Sequence, residues 1–167
     1  DWGSIWNALQ IFGFDSGKIN YLSILGTLAI LAWIAVYLFS LKSTPTLAEV
    51  SFIVFASALI LGKVYSPQYV LWLSALAVIA IKTKPTLVIF WAWQMAELIY
   101  HVAIWQHLAT ISGAHFGLSQ SFYGAISLIR LAASIAMIYA LTRQLSQARS
   151  AQAKPWDFLF ESASTYP

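Results

Sequence analysis

Near the start of the chain, residues 19–41 read INYLSILGTLAILAWIAVYLFSL, an uncharged run enclosed by Lys18 and Lys42. An α-helix rises about 1.5 Å per residue, and the hydrocarbon layer of a membrane is about 30 Å thick. About 20 apolar residues therefore cross it, and this run is longer. The stretch predicts a membrane-spanning helix and places the protein in the all-α integral membrane class.

The composition of the whole chain agrees with that class. Of its 167 residues 60% are hydrophobic and only 9% are charged, and the mean hydropathy is +0.73, which excludes an ordinary soluble domain. The chain has no cysteine and only three scattered histidines, so neither a disulfide framework nor a metal site is expected. No nucleic-acid partner is expected, because the positions of the cations matter more here than the net charge of +3.

Four further helices follow from apolar runs and from helix-start signals. Thr46 and Glu49 have capping-box spacing, Ser66-Pro67 begins a third helix, and Pro85 suits the first turn of a fourth. The five predicted helices comprise residues 19–41, 46–64, 67–81, 86–108 and 121–142. The third is only about 22 Å long, so its start is expected to lie recessed below the membrane surface, against protein or a water-filled cavity.

The two ends of the chain are predicted to differ from this transmembrane domain, which comprises residues 19–145. Residues 1–18 place apolar side chains at helical spacing but are too short to span, which predicts an extracytoplasmic interfacial helix. Residues 146–167 are predicted to form a polar cytoplasmic tail. The chain begins at Asp1 without a signal peptide, so it is expected to be a fragment that lacks preceding helices.

The distribution of lysine and arginine predicts the orientation, because cytoplasmic loops accumulate these residues. With five spans, Lys18 and Lys63 fall on one side of the membrane. The larger set falls on the other side: Lys42, Lys82, Lys84, Arg143, Arg149 and Lys154. That side is predicted to be cytoplasmic and to hold the C-terminus, which places the turn at 63–69 and the loop at 107–120 outside.

The segment from residue 63 to 69 is the first candidate site. Lys63 offers a mobile cation beside the start of a recessed helix, whose unpaired N–H groups and positive dipole end suit a phosphate. Tyr65, Gln68 and Tyr69 add hydrogen-bonding groups and flat faces that suit a sugar. The alternative is structural: Ser66 caps the helix, and the tyrosines belong to the interfacial aromatic belt. Both interpretations stay open from sequence alone.

A second candidate site lies within the predicted membrane region. Gln94, Glu97 and His101 recur at spacings of three and four, which places them on one face of the fourth helix. Arg130 of the fifth helix reaches a similar depth, so Glu97 and Arg130 are predicted to pair. The pair either lines a functional cavity or pathway, or only fixes the packing of the two helices. His115, in the predicted outer loop, is a further candidate for contacting phosphate or sugar.

Residues 63–73, KVYSPQYVLWL, resemble a motif of actinobacterial polyprenol-phosphate-mannose-dependent mannosyltransferases, which belong to the C-type glycosyltransferase superfamily. The start of the chain, DWGSIW at residues 1–6, is also similar to that family. With the helix count, the resemblance covers roughly residues 1–145 and corresponds to the C-terminal half of the family's proteins. The sequence contains no Gly-rich phosphate loop and no serine nucleophile motif.

The resemblance implies an enzyme of the bacterial cytoplasmic membrane that moves a sugar, typically mannose, from a polyprenyl phosphate carrier to a glycan or glycolipid hydroxyl at the outer face. The reaction is expected to be an inverting single displacement, with Lys63 and the helix start at Ser66-Pro67 stabilising the leaving phosphate. The family's acidic base lies in a segment with no counterpart here, so the isolated chain is expected to be inactive. No cofactor is evident beyond the lipid-linked donor.

Two other functions stay open. An ion-coupled transporter or channel would use Glu97, His101 and Arg130 as a pathway, and the similar turns at 42–47 and 82–87 would then belong to a duplicated hairpin. A non-catalytic scaffold would only hold partners in the membrane. An assay of ion uptake into vesicles distinguishes a transporter from a glycosyltransferase.

Overall fold

The computed structural model describes residues 3–41 and 44–151, apart from the side chains at 16 and 148–151. Within these ranges the chain forms six α-helices and a short 3-10 turn and no strand, so the predicted all-α class is confirmed. The elements are α1 (Ile5–Ile11), the 3-10 turn (Ser16–Lys18), α2 (Ile19–Ser40), α3 (Leu47–Leu61), α4 (Tyr69–Ala80), α5 (Lys84–Ile111) and α6 (Gln120–Ala151). Asp1, Lys42 and most of the predicted tail, with Lys154, lie outside the described residues.

Three of the described helices are long and apolar enough to cross a membrane, namely α2, α5 and α6 up to Gln147. This number is lower than the five that the sequence predicts. The 15 residues of α3 and the 12 residues of α4 extend only about 22 Å and about 18 Å. α3 is short because Gly62 turns into an extended conformation, and α4 is short because it begins only at Tyr69.

The helix starts follow the local sequence signals. Thr46 and Glu49 form the predicted capping box at the start of α3: the Thr46 N–H donates to Glu49 Oε2 at 2.7 Å, and the Glu49 N–H donates to Thr46 Oγ1 at 3.4 Å. At the start of α5, Thr83 Oγ1 accepts the N–H of Thr86, and Pro85 occupies the first turn. These caps satisfy backbone donors that a helix start would otherwise leave unpaired.

The last helix is longer than the sequence predicts. α6 runs to Ala151 instead of ending at 142, so residues 146–151 are helical where a polar tail is expected. The physical reason is the absence of any glycine or proline between Gly124 and Pro155, together with good helix formers such as Gln, Leu, Ala and Arg after residue 142.

Polar contacts at one end of the bundle join α3, α4 and α6. Lys82 Nζ lies 2.8 Å from Glu49 Oε1, and Gln144 Nε2 donates to the carbonyl of Ala80 at 2.9 Å. Gln144 Oε1 in turn accepts the N–H of Lys82 at 2.9 Å. The start of α3, the end of α4 and the late part of α6 therefore meet here. We name this the basic end, because Lys82 follows α4, Lys84 begins α5 and Arg143 lies in the late part of α6.

The opposite end, named the α1 end, is organised around one carbonyl group. Leu61 is the last residue of α3, and its carbonyl oxygen accepts the indole Nε1–H of Trp6 and the hydroxyl of Ser23, both at 2.8 Å. α1 packs against α6 and also touches α3, with Trp6 and Ala8 buried. α1, the start of α2 and the end of α3 are thus joined through this oxygen.

The shared carbonyl gives a prediction about stability. Trp6→Phe keeps the aromatic bulk but removes one donor, and we expect the free energy of unfolding to fall by about 0.5–1.5 kcal/mol, because the bond from Ser23 still satisfies the carbonyl. Combining it with Ser23→Ala leaves the carbonyl without a side-chain donor, so the double variant should lose more than the sum of the single losses. Unfolding in mixed detergent micelles measures both, and strict additivity would contradict a shared acceptor.

α2 lies at the periphery of the bundle. In the most apolar window of α2 only 11% of the residues are buried, against 39% in α5 and 44% in α6. Its exposed side chains are large and apolar, as shown by Leu25, Trp33 and Phe39. An apolar outer surface of this kind fits hydrocarbon and is rare in soluble proteins.

Candidate functional site

A buried ion pair joins the middle of α5 to α6. Arg130 Nε lies 2.6 Å from Glu97 Oε2, and both side chains are almost fully buried, at 0% and 5% exposure. The predicted meeting of the two residues in an antiparallel helix pair is therefore confirmed. Ionised groups at this depth are costly unless they are paired, which explains why the pair is completed by further polar contacts.

Aromatic and hydroxyl groups contact both members of the pair. Glu97 Oε1 accepts the hydroxyl of Tyr65 at 3.2 Å and the indole N–H of Trp93 at 3.1 Å. The guanidinium of Arg130 lies between two rings, 3.8 Å from the centroid of Tyr65 and 4.0 Å from that of Tyr100. We name the whole set the Arg130 cluster; its members are Tyr65, Trp93, Glu97, Tyr100, Arg130 and Ser134.

Three members of the Arg130 cluster were not predicted as site residues. Trp93 lies four residues before Glu97, Tyr100 lies three after it, and Ser134 lies four after Arg130. Residues three or four apart share a helix face, so this spacing was the available signal. Ser134 Oγ accepts the N–H of Trp93 at 3.1 Å and donates to the carbonyl of Arg130 at 3.1 Å.

The start of the chain packs directly on this cluster. Gly3 has a positive φ of 73°, and a Cβ atom placed on it would lie 2.5 Å from both the Tyr100 hydroxyl and the Tyr65 carbonyl oxygen. The same position is 3.1 Å from Arg130 Nη1. Only glycine fits such a conformation at such a close approach. Among the described residues Arg130 Nη2 has no hydrogen-bond partner.

A groove lies between the start of α4 and the middle of α5, and we name it the α4–α5 groove. It has a volume of about 410 Å³. Its lining consists of Pro67, Gln68, Val70, Leu71, Gln94, Glu97, Leu98 and His101. The structure thus brings Gln68 of the first predicted site together with all three residues of the polar face predicted on α5.

The polar side chains of the groove keep free hydrogen-bonding capacity. Gln94 Nε2 donates to Ser74 Oγ at 2.8 Å, which leaves its carbonyl oxygen open. The side chains of Gln68 and His101 are exposed and make no hydrogen bond with the described part of the chain. Glu97 lies at the middle of α5, so the groove reaches the central depth of a membrane-length helix. Polar groups at that depth require a polar occupant or water.

The start of α4 differs from the prediction in two ways. The helix begins at Tyr69 rather than at Ser66-Pro67, and its N-cap is Gln68 without a side-chain hydrogen bond, so Ser66 does not cap it. The N–H groups of residues 69–71 bond to the carbonyls of residues 66–68 at 3.1–3.2 Å. Such tight i to i+3 bonds are common at helix ends, and they leave these three N–H groups occupied rather than free for a phosphate.

The remaining predicted residues lie in different places. Lys63 is exposed and makes no ion pair with any described residue, whereas Tyr65 is fully buried and cannot stack on a sugar at the surface. Tyr69 lines a separate apolar groove between α3 and α4, with Phe55, Leu59, Trp72, Leu73, Ala75 and Leu76. His115 is exposed in the loop before α6. His107 is buried, and its ring stacks on Tyr123 at 4.4 Å between centroids.

No protein-family model, no curated protein and no solved structure matches this chain. Among the described residues no group of three His, Asp or Glu side chains is placed to hold a metal ion. The α4–α5 groove, with the Arg130 cluster beneath it, brings together most of the polar side chains that the sequence predicts as site residues.

Proposed function

We propose that this chain is part of a membrane glycosyltransferase that transfers a sugar from a polyprenyl phosphate carrier to a glycan or glycolipid acceptor. The observation that carries the proposal is the α4–α5 groove, in which Gln68 meets Gln94, Glu97 and His101. The resemblance of residues 63–73 to mannosyltransferases adds mannose as the first sugar to test. The protein would lie in the bacterial cytoplasmic membrane.

The proposed arrangement in the membrane follows the two ends of the bundle. α2, α5 and α6 span, and the shorter α3 and α4 cross between them as an antiparallel hairpin whose turn is recessed at the α1 end. The basic end with Lys82, Lys84 and Arg143 lies in the cytoplasm, because cytoplasmic loops accumulate cations. The α4–α5 groove then opens toward the outer face, where a lipid-linked sugar is used.

Lys63 is the proposed partner of the donor phosphate. It is exposed and free of ion pairs among the described residues, and it lies at the α1 end next to the turn that leads into α4. With the first N–H groups of α4 already bonded, this ammonium is the charge that stabilises the leaving polyprenyl phosphate. The polyprenyl chain remains in the lipid.

The sugar is proposed to occupy the α4–α5 groove. The side chains of Gln68 and His101 and the open carbonyl oxygen of Gln94 suit sugar hydroxyls, while Leu71 and Leu98 provide apolar walls. Displacement at the anomeric carbon by an acceptor hydroxyl releases the phosphate to Lys63. Glu97 is unsuited as the base for that hydroxyl, because its carboxylate already accepts bonds from Tyr65, Trp93 and Arg130. The base is assigned to none of the described residues.

Lys63→Ala tests this proposal. We expect transfer of radiolabelled mannose from polyprenyl phosphate mannose, in membranes expressing the full-length protein, to fall by about 100-fold or more, as for the loss of a group that stabilises the charge of a transition state. Lys18→Ala is the matched control, because Lys18 is also exposed at the α1 end. Transfer that is equal in Lys63→Ala and in the wild type would overturn the role of Lys63.

An ion-coupled transporter is the second candidate, favoured by one observation. His101 is exposed in the α4–α5 groove, one turn from Glu97 and within a helix of membrane length. Uptake of protons or ions into vesicles containing the full-length protein, abolished by Glu97→Gln, would support this function. Transfer of sugar without uptake would exclude it.

A further inference from the structure

We infer that Arg130 is a positioning residue that fixes the segment 63–68 in place through Tyr65. By holding Tyr65 in the core, it sets the position of Lys63 and Gln68, the two residues that the proposed function assigns to donor phosphate and sugar. The inference rests on that proposed function for its catalytic consequence, but its structural part can be tested independently.

Tyr65 is the anchor of the segment. Its carbonyl oxygen accepts Arg130 Nη1 at 3.0 Å, its ring covers the guanidinium at 3.8 Å, and its hydroxyl donates to Glu97. The hydroxyl also lies 3.3 Å from Ser134 Oγ. The residue is 0% exposed, so backbone, ring and hydroxyl are all engaged with the Arg130 cluster.

Apart from Tyr65, no side chain of the segment makes a hydrogen bond with the described residues, although the carbonyls of residues 66–68 accept the first N–H groups of α4. Lys63, Val64 and Gln68 are exposed, and α4 begins without a side-chain cap. α4 packs on α3 but faces α5 across the α4–α5 groove. Lys63 precedes Tyr65 by two residues and Gln68 follows it by three. Because only two or three peptide units join these residues to Tyr65, we expect a displacement of Tyr65 to move both side chains.

A purely structural ion pair between α5 and α6 would need only Glu97 and Arg130. The contacts of Arg130 go further, because Nε holds Glu97 while Nη1 and the plane of the guanidinium hold Tyr65. Lysine can keep a positive charge next to Glu97. Its single ammonium has no flat face to stack on the Tyr65 ring, however, and it cannot bond to Glu97 and to the Tyr65 carbonyl in the geometry of a guanidinium. Arg130→Lys therefore separates the two roles.

Cysteine labelling measures the position of the segment, because residues 1–167 contain no cysteine and the full-length protein without an introduced cysteine gives the background rate. Gln68→Cys is introduced into the full-length protein and labelled in membranes with a membrane-impermeant thiol reagent, with and without Arg130→Lys. We expect the labelling rate to change by about fivefold or more, as when a local contact worth roughly one hydrogen bond is lost. His115→Cys, in the exposed outer loop, serves as the control whose rate stays unchanged.

Tyr65→Phe provides a second variant in case Arg130→Lys fails to assemble. It keeps the ring and the backbone carbonyl but removes the bonds to Glu97 and Ser134, so a smaller change in the same direction is expected. Tyr139→Phe is its control, because Tyr139 is exposed near the basic end. An unchanged labelling rate at Gln68→Cys in Arg130→Lys, or in Tyr65→Phe where Arg130→Lys does not assemble, would overturn the inference.

Kinetics then decide the catalytic part. For Arg130→Lys we expect KM for the lipid-linked donor to rise about tenfold, the effect of losing a single good contact, while KM for the acceptor stays the same. Arg143→Lys should change neither. A changed labelling rate with an unchanged donor KM would overturn the link to donor binding. If the wild type transfers no sugar, the proposed function fails, and the labelling result alone decides whether Arg130 positions the segment.

Discussion

Glu97→Gln should lower the free energy of unfolding by about 3–5 kcal/mol, because it leaves the Arg130 guanidinium buried without a counter-charge. Arg130 is 0% exposed and cannot turn toward water to recover its hydration. Gln preserves the size of the side chain, so the loss reports charge rather than packing. Titration with sodium dodecyl sulfate in mixed micelles measures the change.

The double variant Glu97→Gln/Arg130→Gln is the critical comparison. Because it removes both charges, its free energy of unfolding should fall by clearly less than the sum of the two single decreases. Additive decreases would show that the two residues are not coupled. Glu49→Gln provides a matched control at the basic end. Its partner Lys82 is 53% exposed and can be hydrated after the change, so a smaller loss is expected there.

Gly3→Ala is expected to have the second largest effect on stability and to lower the free energy of unfolding by about 2–3 kcal/mol. The added methyl group meets the Tyr65 carbonyl and the Tyr100 hydroxyl at 2.5 Å, and a positive φ is unfavourable for alanine. Because both neighbours belong to the Arg130 cluster, the change should also loosen the contact of α1 with α6. The same micelle titration measures the loss.

Gly13→Ala is the control for Gly3→Ala. Gly13 also has a positive φ, of 96°, but a Cβ there would meet no described atom within 4 Å. Gly13→Ala should lower the free energy of unfolding by only about 1 kcal/mol, the cost of placing alanine at a positive φ. Equal losses at the two glycines would mean that the close approach of Gly3 to the cluster is not restrictive.

Much of the helical framework was predictable from the sequence. The uncharged run before Lys42 predicts α2, because length and hydropathy alone decide whether a helix can span. The spacing of Thr46 and Glu49 predicts the start of α3, and equal depth in antiparallel helices predicts the pairing of Glu97 with Arg130. Each of these predictions depends on local pattern or on a strong energetic penalty.

The geometry around the pair was less predictable, because it depends on tertiary packing. Nothing in the spacing of Tyr65 indicates that its ring lies on Arg130, since the two are joined only in the folded chain. Tyr65 lies in the core beside Arg130, and α4 begins at Tyr69 rather than at Ser66-Pro67. The α4–α5 groove depends on how the start of α4 packs beside the middle of α5, and the hydrophobic periodicity of either helix does not indicate that arrangement.

The carbonyl of Leu61 also has a consequence for the point at which the chain leaves α3. Lys63 follows Leu61 by only two residues, with Gly62 in an extended conformation between them. Because the Leu61 oxygen accepts hydrogen bonds from Trp6 of α1 and Ser23 of α2, three helices together fix the last residue of α3. A change in the packing of α1 or α2 is therefore expected to shift the origin of the turn that carries Lys63.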